Sequence, residues 1–189
     1  MPGVRFEPGL PFSVPPVYDY DGNGSSATFD NQHLYRYELG RWWGPSSKEG
    51  KRAVFVMLNP SQANGRKDDA TIRRCRGFAK SWNLQGLHVV NLFAYIATHP
   101  TDLRKASDPV GNDNHIYLRW AFEDVRDKGG PLVFAWGAIT DDLALERAAE
   151  VTMMAQRLGV QPMCLGKTKN GMPCHPLRLS KDTQLEEWP

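Results

Sequence analysis

Four short apolar runs punctuate the chain, and their length and spacing restrict it to one kind of architecture. They are Val54 to Leu58 (VFVML), Leu87 to Leu92 (LHVVNL), Leu132 to Trp136 (LVFAW) and Pro162 to Leu165 (PMCL). Runs this short, rich in β-formers and almost unbroken by polar residues, suit strands buried on both faces. Helical stretches separate them. Asp69 is a candidate N-cap before ATIRRCRGFAKSW, where Ile72, Cys75, Phe78, Ala79 and Trp82 recur at helical spacing. Asn112 or Asp113 opens a second helix that stops at Gly129-Gly130, and Asp141-Asp142 opens a third that Gly159 closes. The order β-α-β-α-β-α-β predicts a three-layer α/β/α domain with a central four-stranded parallel sheet. That domain is expected over residues 34–189. Residues 1–33, rich in Pro, Gly and Ser, are expected to form an irregular arm. The aromatic alternation of LYRYELGRWW at 34–43 predicts an edge strand.

Composition narrows the function classes. A chain of 189 residues with 41% hydrophobic and 23% charged residues reads as one soluble globular domain. No apolar run approaches the ~20 residues that span a bilayer, and the amino end has no charged-then-apolar pattern, so a cytoplasmic, monomeric protein is expected. Cys75, Cys164 and Cys174 are odd in number, widely spaced and without a CxxC pair. They read as reduced thiols, and three cannot alone ligate a cubane iron–sulfur cluster. The histidines show no metal-ligand spacing, so neither metal nor cofactor is expected.

In open α/β sheets, ligands bind outside the carboxyl ends of the strands. Polar groups stand there in all four runs. Asn59, fixed in extended geometry by Pro60, can position a water or bond a substrate, or serve as a turn residue. Asn91 interrupts a buried strand and needs partners, which a neighbouring loop or a nucleobase edge can supply. Trp136-Gly137 ends the third strand, where the glycine permits close approach and the tryptophan packs. His175 lies on a loop flanked by prolines (PCHPL) and is either an electrostatic or acid–base group or structural. Basic residues gather on the same loops: Arg66, Lys67 and Arg73 on the first side, and Lys169, Arg178 and Lys181 around the histidine. They are a solvated face or phosphate contacts.

Taken together, the motifs Asn59-Pro60-Ser61, Asp68-Asp69-Ala70-Thr71-Ile72-Arg73-Arg74-Cys75, Val89-Val90-Asn91-Leu92-Phe93-Ala94, Asp108-Pro109-Val110-Gly111, Trp136-Gly137 and His175-Pro176-Leu177 are similar to domain-of-unknown-function family 1643. Their order resembles that of the uracil-DNA glycosylase superfamily. There a first-strand GxNP or GxDP motif corresponds to Met57-Leu58-Asn59-Pro60, an asparagine-ended strand to Val89-Val90-Asn91, a WG strand end to Trp136-Gly137, and a late HPSP motif to His175-Pro176-Leu177-Arg178. Met57 replaces the usual glycine, Leu177 replaces the serine, and Lys167 to Met172 resemble an insertion.

The resemblance implies a glycosylase-like fold and a monofunctional DNA N-glycosylase that takes uracil or a modified base out of the stack. It implies Asn59 and His175 as catalytic residues. It implies a base pocket of Pro60, Ser61, Asn91, Phe93, Trp136 and Gly137, and DNA-backbone contacts by Arg66, Lys67, Arg73, Lys169, Arg178 and Lys181. Because a fold does not fix a function, three other readings stand beside it: a non-catalytic nucleic-acid or nucleotide-binding module, an enzyme acting on a small nucleotide, and a structural or partner-binding protein.

Overall fold

The computed structural model of the chain describes residues 17–20, 24–43, 50–61 and 63–189. Eight strands among them form one mixed sheet: β1 (Val17–Tyr20), β2 (Ser25–Phe29), β3 (Arg36–Trp42), β4 (Arg52–Met57), β5 (Gly86–Asn91), β6 (Leu132–Phe134), β7 (Pro162–Cys164) and β8 (Glu186–Glu187), in the order β1-β2-β3-β5-β4-β6-β7-β8. The four strands foreseen from the apolar runs are β5, β4, β6 and β7, and they are mutually parallel. Antiparallel strands extend them on both sides.

Three helices cover the sheet: α1 (Ala70–Ser81), α2 (Asn114–Lys128) and α3 (Asp142–Arg157). Asp69 caps α1 by accepting from the Ile72 amide at 2.8 Å, and Asp141 caps α3 by accepting from the Ala144 amide at 3.1 Å. Gly159, with φ of 68°, follows the end of α3. Along β4 the side chains alternate, as a pleated strand requires. Ala53, Phe55 and Met57 pack with Ile72, Cys75 and Phe78 of α1, while Val54 and Val56 pack with Leu118 and Phe122 of α2 and Val151 of α3. Helix α1 therefore lies on one face and α2 and α3 on the other.

Two expectations are corrected. The aromatic stretch at 34–43 supplies β3, which is not an edge strand: it pairs with β2 on one side and β5 on the other. The Pro/Gly-rich stretch 1–33 is not irregular throughout, since Val17–Tyr20 and Ser25–Phe29 are strands, and residues 1–16 lie outside the described ones. The reason is tertiary. Pairing along β3 satisfies the backbone of a segment whose own residues signal a loop.

Strand β3 also carries two buried arginines that fasten the β4–α1 connection. Arg41 donates from Nε to Asp68 at 2.7 Å and from Nη2 to the Asn64 carbonyl at 2.5 Å, and Arg36 donates from Nη1 to the Ala63 carbonyl at 2.5 Å. Arg76 of α1 completes the cluster with a 2.7 Å bond to Asp68. Burial pushes the Asp68 carboxyl up, but its bonds to Arg76 and Arg41 outweigh that and hold it below the ordinary range. Its stabilising contribution is thus present above about pH 4 and is lost as pH falls through the depressed value. Asp68→Asn should cost about 3 kcal/mol in urea unfolding at neutral pH, because it strands the buried Arg41 charge. It should also flatten the acid limb of the stability profile.

Candidate functional site

The crevice follows from the topology. The chain leaves β4 toward α1 on one face, whereas it leaves both parallel neighbours, β5 and β6, toward α2 and α3 on the other. At the carboxyl end of β4 the connections diverge, which is where open α/β sheets hold ligands. A cleft of about 340 Å³ opens there. It is lined by Asn59 and Ser61 after β4, Asn91 at the end of β5, Trp136 and Gly137 after β6, and His175 after β7. Arg36 of β3 and Asp69 at the head of α1 also line it.

Each of these groups is held in a defined way. The Asn59 amide nitrogen donates to the Pro60 carbonyl at 2.9 Å and to the Ala97 carbonyl at 2.7 Å. Its donor capacity is therefore committed, and Oδ1 is the atom left to accept. The backbone at Asn91 is clamped from α2 and α3. Asn114 donates from Nδ2 to the carbonyls of Asn91 and Leu92, at 3.1 and 3.0 Å, and Arg147 donates from Nε to the Leu92 carbonyl at 3.0 Å. Asn91 is only 1% exposed, and among the described residues neither its side-chain oxygen nor its side-chain nitrogen has a hydrogen-bond partner. The buried Trp136 Nε1 likewise has no partner among the described residues.

His175 heads a 3-10 turn, Pro176–Arg178, and its Nδ1 accepts from the Leu177 amide at 3.3 Å. With Nδ1 accepting, a neutral ring carries its proton on Nε2 and can donate from there. Burial pulls the His175 pKa below its ordinary value; Asp69 opposes that shift and Arg178 adds to it. Gly137 makes room for this loop. Its φ is +80°, and a Cβ placed on it would lie 3.2 Å from the Cβ of His175. Its amide donates to the Pro173 carbonyl at 2.9 Å, tying β6 to the histidine segment.

The remaining expected site residues lie elsewhere. Phe93, expected in a base pocket, is 1% exposed and packs in the apolar cluster with Leu118 and Phe122, so it does not line the cleft. An aromatic residue just after a strand gains more by burial against α2 than by facing the crevice. Pro60 is buried beside the cleft, and its carbonyl receives the Asn59 amide and the Ala97 N–H. Arg73 is exposed and donates to the Asp68 carbonyl. Arg66, Lys67, Lys169, Arg178 and Lys181 are exposed on the loops at this end of the sheet. Sequence reasoning missed Arg36 and Asp69 as cleft residues. Asp69 was legible as a helix cap, and a cap at that strand end necessarily borders the crevice. Arg36 gave no signal, because nothing local marks an arginine between two tyrosines as buried.

Cys75, Cys164 and Cys174 are free thiols, and burial pushes all three upward in pKa. Among the described residues, no group of three or more His, Cys, Asp and Glu is placed to hold a metal ion, and no helix is long and apolar enough to cross a membrane.

Two measurements test this geometry. Asn91→Leu should leave the fold as stable or raise its stability by about 1–2 kcal/mol in thermal unfolding, since it removes a buried unsatisfied amide. A structural asparagine would give the opposite sign. In an NMR titration His175 should protonate below 6.5, lower still in Asp69→Asn, which keeps the helix cap, and higher in Arg178→Gln.

The family model described as "Protein of unknown function (DUF1643)" matches residues 36–177. No curated protein and no solved structure matches the chain.

Proposed function

Because the chain belongs to the family described as "Protein of unknown function (DUF1643)", we propose its activity from the chemistry of the cleft: hydrolysis of the N-glycosidic bond of a base flipped out of DNA. The observation that carries this reading is Asn91. A side-chain amide with both its donor and its acceptor buried and unpartnered costs stability, and a nucleobase edge offers the complementary acceptor and donor. The likeness in motif order to the uracil-DNA glycosylase superfamily supports it. So does the position of the four parallel strands, whose carboxyl ends bring Asn59, Asn91, Trp136-Gly137 and His175 to one cleft.

The roles follow from what each group can donate or accept. Asn91 holds the base edge. As the C–N bond breaks, both electrons of the bond go to the base and the sugar gains oxocarbenium character. His175, neutral and donating from Nε2, stabilises the negative charge that develops on the base. Asn59 cannot act as a general base near neutral pH. Its free Oδ1 accepts from a water and aims the water oxygen at the sugar carbon. Water supplies hydroxide to the sugar and a proton to the departing base, so the products are an abasic site and the neutral base. The exposed Arg66, Lys67, Arg73, Lys169, Arg178 and Lys181 are proposed to meet the DNA backbone, and DNA affinity should therefore fall steeply with salt.

The test is to incubate the protein with duplex and single-stranded DNA carrying uracil or modified bases, and to measure abasic sites and free base. The expected result is release of at least one base. Asn59→Ala and His175→Ala should each lower turnover about 10²–10³-fold while DNA affinity changes little. Binding of DNA without release of any base across the set would instead favour a non-catalytic binding module. Activity on free nucleotides alone would favour a small-molecule enzyme.

A further inference from the structure

Arg36 is out of place on any account of the cleft as a purely neutral pocket. Its side chain sits at the amino end of β3, is 3% exposed, and still lines the cleft. The guanidinium has five N–H donors, yet its one hydrogen bond among the described residues is from Nη1 to the Ala63 carbonyl, and the buried Nε has no partner. No carboxylate among the described residues lies within ion-pairing distance of it. Burial lowers its pKa to about 10, so it remains a cation at neutral pH; Asp69 opposes that shift and Arg41 adds to it. A buried cation without a contacting counter-charge is costly, and an arginine with a spare fork in a cleft is suited to an acceptor-rich or anionic partner.

The other buried unpartnered polar atoms on the cleft residues have the same bias, whereas the acceptors Asn59 Oδ1 and the Asp69 carboxylate belong to less buried residues of the lining. Arg36 Nε, Trp136 Nε1 and Asn91 Nδ2 can only donate, and Asn91 Oδ1 is the single buried acceptor left unpaired among them. This inventory fits a ring with carbonyl oxygens on its edge and one N–H between or beside them. A base that presents amino groups would set donor against donor.

We propose that Arg36 is a specificity-determining residue that binds the acceptor edge of a keto nucleobase and favours the base in its anionic form. The inference rests on the reading of the cleft as a nucleobase site, but it does not require that the cleft break a glycosidic bond. Arg36 and His175 then approach the base from different elements, β3 and the segment after β7, and share the charge that a departing base acquires. Cytosine still offers O2 and N3 to Arg36, but it forms no anion near neutral pH and its amino group meets the other donors of the cleft. It therefore gains less, and discrimination is set by the cleft itself as well as by the loops that meet DNA.

The experiment uses two free bases of nearly the same shape at one pH. At pH 8, 6-azauracil is mostly ionised and uracil is neutral, and the protein's own charges are the same in both arms. Calorimetric titration of the full chain should show 6-azauracil binding about tenfold more tightly than uracil, with cytosine weakest. Arg36→Met should remove the preference between 6-azauracil and uracil, and Arg36→Lys, which keeps the charge without the fork, should retain part of it. Should Arg36→Met fail to fold, Arg36→Gln takes its place and should likewise lose the preference. His175 lines the same cleft, so a preference in the unaltered protein does not by itself assign it to Arg36. Equal affinity for the two bases, no binding of either, or an undiminished preference in Arg36→Met or in Arg36→Gln overturns the proposal. Base release from DNA is scored separately. A chain that prefers the anionic base but releases none from DNA retains this role for Arg36 and loses the glycosylase reading. A chain that releases base without the preference does the reverse.

Discussion

The cleft exists because the chain leaves β4 in one direction and its two parallel neighbours in the other. A strand end between connections that part toward opposite faces cannot be roofed by either layer of helices. Any chain with this winding order has a crevice there, and the sequence decides only what lines it. Here the lining is polar at the positions where the apolar runs stop. Asn59 follows Met57 and Leu58, Asn91 closes β5, and Gly137 follows Phe134, Ala135 and Trp136.

The walls of this crevice are expensive to build. Asn91 carries two unsatisfied polar atoms, and Arg36 is a cation almost out of reach of water. The fold offsets these costs with rigid supports around them. Asn114 and Arg147 clamp the end of β5, Arg41 and Asp68 lock the β4–α1 connection, and Gly137 lets the histidine segment lie against β6. Unpaired groups on rigid supports keep their direction when a partner arrives, which is what preorganisation means in energetic terms. The same groups in a flexible loop would bond to one another or to solvent.

Much of this was legible in the sequence. The caps at Asp69 and Asp141 and the stop at Gly159 write their own local hydrogen-bond and φ requirements, and the four buried strands announce themselves as apolar runs. The convergence of Asn59, Asn91 and His175 could be anticipated because parallel strands put their ends on one side. What could not be read is what depends on pairing between distant segments. Strand β2 hides in a Ser- and Gly-containing stretch, and β3 looks like an edge because alternation says nothing about how many neighbours a strand has. Arg36 and Arg41 look like surface residues until the loop that accepts from them is in place. Phe93 could be placed at a strand end but not on a side of it, since one residue of register decides between core and crevice.

The cleft is assembled from residues 36, 59, 69, 91, 137 and 175, which span most of the chain and come from both layers of connections and from the added antiparallel strands. No sub-structure of the protein contains more than a fraction of it. A partly folded chain, or one with β3 detached, therefore has no residual version of the pocket. A molecule that occupies it acts by mass action on the complete native state alone. Occupancy would then lengthen the life of the folded protein against thermal loss and proteolysis, so abundance in the cell would track the supply of whatever fills the site.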